Sequence, residues 1–244
     1  MKCLILAAGY ATRLYPLTEN FPKPLLEVQG KTILDWLIED IGGTETVVVT
    51  NHRFAPIFED WARAKANITV LDDGTSSNET RLGAVCDICF GEEQCGPDDY
   101  LVIAGDNLLD FSLRILVDYA QEKGTSCVMR YREEDEQRLH HSGVAEVDDA
   151  GRILSFEEKP QTPKSQWCTP PFYYYTASDV KKIPEAIAEG CGTDAPGSLV
   201  AWLCRNSVVH SMEMPGKRYD IGDIRSYETV KREYHGRANK CDAR

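Results

Sequence analysis

The sequence of 244 residues lacks any long hydrophobic segment. No uninterrupted apolar run exceeds six residues, as in Cys3–Ala8, whereas a membrane-spanning helix needs about 20. The same run is too short for the apolar region of a secretory signal peptide, and Gly9 and Arg13 follow where a cleavage site is expected. We therefore expect a cytoplasmic protein with no membrane partner.

Positive charge and cysteine are also scarce. Lys and Arg number 27 against 39 Asp and Glu, so the formal net charge is −12. Nucleic-acid binders gain most of their affinity from clustered Lys and Arg on phosphates, and we expect no nucleic-acid partner. A small phosphorylated ligand remains compatible, provided that the few cations gather in one place. Nine cysteines, an odd number, predict reduced thiols rather than a disulfide scaffold.

Short apolar strands alternate with segments of helical periodicity over about the first 130 residues. The predicted strands are Lys2–Ala8, Thr46–Thr50, Ile68–Leu71, Tyr100–Ala104 and Ser126–Arg130, and the predicted helices are Thr32–Ile41, Phe54–Lys65, Arg81–Phe90 and Leu113–Glu122. This alternation is typical of βαβ units. It predicts an α/β fold of the Rossmann-like, doubly wound type, with a mostly parallel mixed sheet.

The regular alternation of predicted strands and helices ends after residue 131. Two short strands, Val144–Val147 and Ile153–Phe156, flank a turn and predict a β-hairpin. The elements predicted after the hairpin are the strand Phe172–Tyr175, helices near Asp179–Ala188 and Pro196–Arg205, the strand Val208–Met212, and a helix from Ile224 to about Tyr234. We expect this hairpin and helical part to be inserted into the α/β core.

The clearest functional signal follows the first strand. Leu6-Ala-Ala-Gly-Tyr-Ala-Thr-Arg-Leu-Tyr-Pro-Leu-Thr18 is continued by Pro22-Lys-Pro-Leu25. Gly9 and its small neighbours let backbone N–H groups approach a phosphate chain, and Arg13 and Lys23 add positive charge. Neither a Walker A motif nor the dinucleotide-binding fingerprint occurs. Because open α/β sheets bind ligands at the C-terminal ends of their strands, this loop predicts a phosphate site.

This segment resembles the signature of the sugar-1-phosphate nucleotidyltransferases (NDP-sugar pyrophosphorylases), L-A-[AG]-G-x-G-T-R-L-x-P-L-T followed by P-K-x-L. Ala11 stands where the signature has its second glycine. Further motifs of the family follow in order, namely Arg81-Leu-Gly83, Ala104-Gly-Asp106, Ser142-Gly-Val144, Phe156-Glu-Glu-Lys-Pro160 and Tyr219-Asp-Ile-Gly222. The resemblance therefore extends over the whole chain.

The resemblance implies an enzyme that moves a nucleoside monophosphate group from a nucleoside triphosphate to a phosphorylated small molecule. A sugar 1-phosphate is the first candidate, giving an NDP-sugar and pyrophosphate. It also implies that residues 1–244 form one domain, the short single-domain form of the family. We expect a nucleotide-binding core over about 1–130, an acceptor-binding part over about 131–215, and a metal-ligand loop with the C-terminal helix over 216–244.

Site residues are carried over by resemblance. Arg13 and Lys23 are the implied catalytic cations. The implied nucleotide-binding residues are Leu6, Ala8, Gly9, Tyr10, Ala11, Thr12, Asn78, Arg81, Gly83 and Asp106, and the implied acceptor-binding residues are Gly143, Glu158, Lys159 and Tyr173. Asp106 and Asp220 suit Mg²⁺, because that ion takes few protein carboxylates and completes its shell with water and substrate oxygens. Asn78, Glu79 and Arg81 are open candidates for reading the nucleobase.

Two other functions stay open. Thr169-Pro-Pro-Phe-Tyr-Tyr-Tyr175 departs from the family's pattern. With Trp167 it could form an aromatic wall that suits a quaternary ammonium group, which favours a CTP-dependent cytidylyltransferase for phosphocholine. Such a run is also typical of a strand in the core. The other function is a catalytically inactive nucleotide- or sugar-sensing subunit. The sequence fixes neither base, acceptor nor pathway, and a homo-oligomer stays open.

Cys86-x-x-Cys89 looks like half a zinc site. However, both cysteines fall in a helical apolar stripe with Leu82, Val85 and Phe90, and no second Cys or His pair lies at zinc spacing. We therefore predict that both thiols lie on the buried face of the helix.

Overall fold

The computed structural model describes residues 1–237. Its strands are β1 (Lys2–Leu6), β2 (Glu27–Val28), β3 (Lys31–Thr32), β4 (Thr46–Thr50), β5 (Ile68–Asp72), β6 (Tyr100–Ala104), β7 (Asn107–Leu109), β8 (Ser126–Arg132), β9 (Gly143–Val147), β10 (Ile153–Glu158), β11 (Trp167–Thr169), β12 (Phe172–Tyr175), β13 (Val209–Glu213) and β14 (Arg218–Asp220). Its α-helices are α1 (Ile33–Asp40), α2 (Ala55–Ala62), α3 (Ala84–Cys95), α4 (Arg114–Lys123), α5 (Glu136–Leu139), α6 (Ala177–Val180), α7 (Ile183–Ala188), α8 (Gly197–Asn206) and α9 (Ile224–Glu233). Single 3-10 turns lie at Thr12–Leu14 and Lys23–Leu25.

One large mixed sheet organises the molecule. Its strand order is β10-β9-β11-β8-β12-β6-β1-β4-β5, with β13 beside β8. The strands β6, β1, β4 and β5 run parallel, and β12 lies antiparallel between β6 and β8. The register places Leu6 of β1 opposite Ala104 of β6. The loops that follow these two strands therefore leave the sheet at the same edge.

Helices cover both faces of the sheet, as expected for a doubly wound fold. Helices α1, α2 and α4 pack on one face, where Leu34, Phe58 and Leu116 share a core with Ile5 of β1. Helices α3, α7 and α8 pack on the other face around Leu4 of β1. The prediction of an α/β, doubly wound mixed sheet is confirmed.

Local sequence signals explain where α1 begins. The Thr32 hydroxyl accepts a hydrogen bond from the Asp35 amide at 3.0 Å, and the Asp35 carboxylate accepts one from the Thr32 amide at 3.4 Å. This capping box satisfies backbone donors that would otherwise stay free at a helix start. The predicted cap at Thr32 is confirmed.

The predicted helices have somewhat different bounds in the structure, and at two of them the difference has a clear physical cause. Helix α3 begins at Ala84 rather than Arg81, because Gly83 has φ +93 and cannot be helical. The segment Asp179–Ala188 forms two short helices, α6 and α7. Pro184 lies in the first turn of α7, and its missing N–H prevents a continuous helix through this point.

The predicted buried face of α3 is confirmed only in part, since Cys89 and Phe90 are partly buried against the core beside Val85. Val85 and Ile88 are buried, but Asp87 and Gly91 share the buried face. Cys86 and Cys89 are only half-buried. An ionisable side chain thus lies at a position that the apolar pattern assigns to solvent.

The aromatic strand β12 belongs mostly to the core. All four residues of Phe172–Tyr175 are buried, and they alternate between the two faces of the sheet. The sequence did not indicate the two-stranded ribbon of β7 and β14, which pairs Asn107–Leu109 with Arg218–Asp220. None of the helices within residues 1–237 combines the length and the hydropathy needed to cross a membrane.

Candidate active site

A cleft of about 1580 Å³ opens at the sheet edge where β1 and β6 end. Of the residues predicted for the site, those that line it are Leu6, Ala8, Gly9, Arg13, Arg81, Gly83, Asp106, Gly143, Glu158, Lys159, Tyr173 and Asp220. A smaller lobe of about 190 Å³ adds Ala11 and Lys23, and it shares Gly9, Arg13 and Asp106 with the cleft. The volume exceeds that of a typical pocket for one small molecule, roughly 300 to 1,000 Å³, so two substrates can be accommodated.

Three residues that were predicted to bind the nucleotide line neither the cleft nor its smaller lobe. Tyr10 is buried against Phe54, and its hydroxyl donates to the Thr75 carbonyl at 3.3 Å. Thr12 is exposed on its 3-10 turn. Asn78 accepts a hydrogen bond from the Arg81 guanidinium at 2.9 Å. Their predicted contacts with a nucleotide stay predictions.

The loop after β1 turns sharply at Ala11. This residue has φ +46 and ψ +44, the left-handed conformation that favours glycine. Arg13 follows on the 3-10 turn, exposed and facing both lobes of the cleft. Within residues 1–237 no acidic side chain forms an ion pair with it, so its charge is available to a ligand.

Lys23 and Asp106 form a partly buried ion pair. The Lys23 Nζ lies 2.7 Å from Asp106 Oδ2, and the Lys23 side chain is 9% exposed. The other oxygen of Asp106 accepts a hydrogen bond from Asn107 Nδ2 at 2.6 Å. Burial opposes ionisation of this carboxyl, but the charge and hydrogen bond of Lys23 outweigh it and lower the pKa of Asp106. Asp106 is therefore a carboxylate at neutral pH.

The ribbon of β7 and β14 brings a second carboxylate to this point. Asp220 pairs with Asn107, the residue after Asp106. Arg218 lies on the same ribbon and donates to Asn107 Oδ1 at 3.0 Å, while its guanidinium is 3.9 Å from Asp220 Oδ2. Residues far apart in sequence therefore meet at the cleft.

These two carboxylates fit a Mg²⁺ ion. Both line the cleft that Arg13 also lines, and carboxylate oxygens are the ligands that a hard cation prefers. The residues that the structure describes contain no cluster of three or more His, Cys, Asp or Glu that could hold a metal. The remaining ligands of the ion would have to be water and substrate oxygens, as is usual for Mg²⁺.

The opposite end of the cleft is built by β9 and β10. Glu158 pairs with Gly143, and a Cβ at Gly143 would lie 2.5 Å from the Phe156 ring. Lys159 follows with φ +50, held by a hydrogen bond from its amide to the Ser142 carbonyl at 3.0 Å. Left-handed backbone at a residue other than glycine is strained and clusters at binding sites. The Lys159 ammonium is thus presented to the cleft by a fixed backbone turn.

Glu158 differs from an ordinary surface carboxylate. Burial raises its pKa, the charge of Asp194 adds to this effect, and the Lys159 charge opposes it. Tyr173 is buried beside it, stacked on Tyr175 with ring centroids 5.7 Å apart. Within the aromatic strand β12, Tyr173 is the residue that lines the cleft. The Trp167 ring packs instead against the Arg130 guanidinium at 4.8 Å.

Sequence reasoning missed several charged residues of the cleft. They are Asp87, Arg132, Glu133, Asp135, Arg138, Asp194, Lys217 and Arg218, together with His140 and His141. Those at 132–141 lie at or just after the end of β8, where a C-terminal strand end predicts a ligand site, and this signal could have been used. Asp194 carries no such signal, since it reaches the cleft through an ion pair of 2.6 Å with Arg81.

Comparison with known proteins agrees with this geometry. The family model described as nucleotidyl transferase matches residues 2–237. The chain is 27% identical over 242 residues to a UTP–glucose-1-phosphate uridylyltransferase of Synechocystis. This alignment covers 93% of this chain and 61% of that protein. It is 26% identical over 227 residues to the uridylyltransferase AglF of Haloferax volcanii, covering 91% of each. The chain therefore spans about three fifths of the first relative and most of the second.

The fold is also found among solved structures. A UDP-glucose pyrophosphorylase complexed with UDP-glucose superposes with a TM-score of 0.79 and 20% identity, over 95% of this chain and 97% of that chain. Because the family model matches nearly the whole sequence, the chain belongs to the nucleotidyl transferase family.

Proposed function

We propose that this protein transfers a nucleoside monophosphate group from a nucleoside triphosphate to a phosphorylated small molecule, giving a diphosphate-linked product and pyrophosphate. A sugar 1-phosphate is the proposed acceptor, and the product is then an NDP-sugar. The observation that carries the proposal is the convergence of Arg13, Lys23, Asp106 and Asp220 on one cleft whose far end presents Lys159. The relatives named above act on glucose 1-phosphate by name, which agrees with a sugar acceptor.

The proposed reaction is a single in-line displacement. A phosphate oxygen of the acceptor attacks the α-phosphorus of the triphosphate, the new P–O bond forms, and the bond to the leaving pyrophosphate breaks. The attacking oxygen is already ionised at neutral pH, so no general base is needed. Catalysis then rests on holding two anions in line and on stabilising negative charge in the transition state.

Each cation has a place in this scheme. Arg13, which lacks an acidic partner within residues 1–237, stabilises charge on the α-phosphate and on the leaving pyrophosphate. Lys23 moves between its ion pair with Asp106 and the phosphates of the two substrates. Lys159 seats the acceptor phosphate, and Glu158 accepts hydrogen bonds from acceptor hydroxyls.

Asp106 and Asp220 are the residues that would hold Mg²⁺. The ion would neutralise part of the charge of the triphosphate, which lowers the repulsion felt by an approaching phosphate. The protein's own contribution is the ribbon of β7 and β14, which fixes the second carboxylate beside the first. The Lys23 ion pair keeps Asp106 ionised and ready to bind a cation.

The two other functions are not favoured. A phosphocholine site needs an aromatic cage for a quaternary ammonium group, but β12 offers Tyr173 to the cleft and buries its other aromatic rings. An inactive sensor would have no need for two carboxylates and two cations around a triphosphate.

The test is pyrophosphate release by the purified protein with Mg²⁺. Each of ATP, GTP, CTP, UTP and dTTP is paired with a panel of sugar 1-phosphates and with phosphocholine. We expect release that depends on both a triphosphate and a sugar 1-phosphate. Pyrophosphate release only with CTP and phosphocholine would instead identify the protein as a cytidylyltransferase for phosphocholine. Nucleotide binding without release in any pair would favour the sensor.

A further inference from the structure

Helix α3 presents an acidic side chain that the proposed reaction does not use. Asp87 is 5% exposed, lines the cleft, and leaves its Oδ1 atom without a hydrogen-bond partner among the residues that the structure describes. Burying a carboxylate without a partner costs several kcal/mol. An unpartnered, strongly buried carboxyl at the wall of a cleft is a candidate for contact with a ligand.

The position of Asp87 along α3 fixes where it faces. Gly91 lies one helical turn further on, and a Cβ there would meet the Leu4 side chain at 2.5 Å. Residues four apart share one face of a helix, so Asp87 faces β1 one turn closer to the cleft. Leu6 and Ala8 of that strand and its loop line the cleft at this level.

A second carboxylate stands behind Asp87. Asp73 directly follows β5, whose residue Leu71 packs in the same core as α3. The Thr75 amide and hydroxyl each donate to Asp73 Oδ1 at 2.7 Å, while Oδ2 has no partner among the described residues. Burial, and then the charge of Asp73, raise the pKa of Asp87 to about 7. Two acceptor groups therefore share one small region.

This region lies where the nucleobase of a bound triphosphate would lie. The proposed phosphate and metal residues, Arg13 and Asp106, stand at the ends of β1 and β6. Helix α3 packs over β1 and β4, on the side of β1 away from β6. A nucleotide with its phosphates at Arg13 can therefore extend its base towards Gly83 and Asp87.

We propose that Asp87 reads the nucleobase and selects guanine. This inference rests on the proposed function, and it concerns the same cleft. Guanine presents two adjacent donors, its ring N1–H and its exocyclic amine, and a carboxylate can accept both. Uracil and thymine flank their ring N–H with carbonyl oxygens, which a carboxylate repels. Adenine and cytosine place a bare ring nitrogen beside their amine.

Nucleotide affinity, measured by isothermal titration calorimetry, tests this directly. At pH 8, above the pKa of about 7 of Asp87, we expect wild-type protein to bind GTP roughly tenfold or more tightly than UTP, as two hydrogen bonds to a charged group imply. Asp87→Asn replaces one acceptor by a donor. We therefore expect this variant to bind GTP more weakly and UTP more tightly than the wild type, so that the preference reverses. Asp118→Asn on the exposed face of α4 is the matched control and should leave both affinities unchanged.

A second measurement needs no variant. Inosine triphosphate differs from GTP by lacking the exocyclic amine, and wild-type protein should bind it several-fold more weakly. Equal affinity for the two nucleotides, or a wild type that prefers UTP, would overturn the assignment of Asp87. Pyrophosphate release with some triphosphate under the same conditions would show that the proposed function stands even then. Its absence with every triphosphate would count against the function itself.

Discussion

Arg13 is an exposed cation at the point where the proposed reaction develops charge. It faces both lobes of the cleft, and no ion pair within residues 1–237 neutralises it. Removing a group that stabilises transition-state charge typically costs about 10² to 10³ in turnover. We therefore expect Arg13→Ala to lower kcat by at least ~10² in steady-state assays of pyrophosphate release.

Arg63→Ala is the matched control for this prediction. Arg63 is 79% exposed and pairs with Asp60 on the surface of the molecule. Arg63→Ala should leave kcat within about twofold of the wild-type value, because exposed ion pairs of this kind contribute little to stability. Near-normal turnover of the Arg13 variant would remove that residue from the mechanism.

Asp87 should make the stability of the fold depend on pH. Its pKa is about 7 in the folded protein against an ordinary value of 3.8 for an aspartate, so the folded state holds the proton at pH values where the unfolded chain has lost it. Stability therefore falls as pH rises towards 7, and the cost is fully present above 7. From pH 5 to pH 8 this contribution is roughly 2 to 3 kcal/mol, at about 1.4 kcal/mol per pH unit below the pKa.

Thermal unfolding of Asp87→Asn measures this contribution. The variant cannot ionise at this position, so we expect its Tm relative to the wild type to be higher at pH 8 than at pH 5. The comparison between the two pH values cancels any constant effect of the amide. An unchanged difference in Tm across this range would mean that Asp87 is ionised at low pH in the folded protein.

Some site residues could be predicted from the sequence, and others could not. The role proposed for Arg13 and Lys23 could be inferred, because both lie in one loop with a recognisable motif. Asp87 could not be found this way, since its helix reads as an apolar stripe on a different face. Its burial depends on the small Gly91, which lets α3 approach β1 closely. A close approach of two elements leaves no periodic signal in the sequence.

At the scale of elements, the two ends of α3 offer a matched test of packing. Gly83 at the start has φ +93 and ψ 155, and Gly96 at the end has φ +80 and ψ 171. Both backbone conformations are nearly exclusive to glycine. A Cβ at Gly83 would lie 2.5 Å from the Thr193 carbonyl oxygen, whereas nothing lies within 4 Å of one at Gly96.

We therefore expect Gly83→Ala to destabilise the fold more than Gly96→Ala. Strain alone costs about 1 to 3 kcal/mol at either site, and the clash with Thr193 adds roughly 1 kcal/mol or more at Gly83. Urea denaturation of both variants gives the difference. Equal losses of stability would show that the loop at Thr193 moves away freely.

The ribbon of β7 and β14 should determine the requirement for metal. Asp220 reaches the cleft through this ribbon, paired with Asn107. We expect chelation to abolish pyrophosphate release and Mg²⁺ to restore it. Asp220→Asn should raise the Mg²⁺ concentration for half-maximal rate by roughly tenfold or more, since ligand-sphere changes cost this much.

Asp149→Asn, in the exposed hairpin turn, is the control for the metal requirement. It should leave the Mg²⁺ dependence unchanged. An identical Mg²⁺ dependence in Asp220→Asn and the wild type would contradict the assignment of Asp220.

Elements of regular periodicity were predictable, and those made by long-range pairing were not. Strands β4 and β6 have the predicted bounds, Thr46–Thr50 and Tyr100–Ala104, because their apolar runs end at clear breaks. The ribbon strands are three residues each and carry no apolar alternation. Their pairing joins segments more than 100 residues apart, which local sequence cannot specify.

At the scale of the whole molecule, the cleft is less acidic than the rest of a chain whose net charge is −12. Its lining holds seven Lys and Arg side chains against seven Asp and Glu side chains, so the cations there offset the acidic groups. The acidic remainder of the surface repels anions, which favours binding of phosphorylated ligands at this one region. The charge count predicted that cations must gather in one place for phosphate binding. The position of the cleft followed from the sheet, whose C-terminal strand ends meet there.

The account depends most on the acceptor's own phosphate acting as the nucleophile and becoming part of the product. Its most direct test uses a sugar 1-phosphate whose phosphate oxygens carry a heavy isotope, incubated with a nucleoside triphosphate and Mg²⁺. Mass spectrometry of the products then follows the label. We predict that all of the label stays in the diphosphate-linked sugar and that the released pyrophosphate is unlabelled. Label in the pyrophosphate, or no labelled diphosphate product with any triphosphate, would contradict the account.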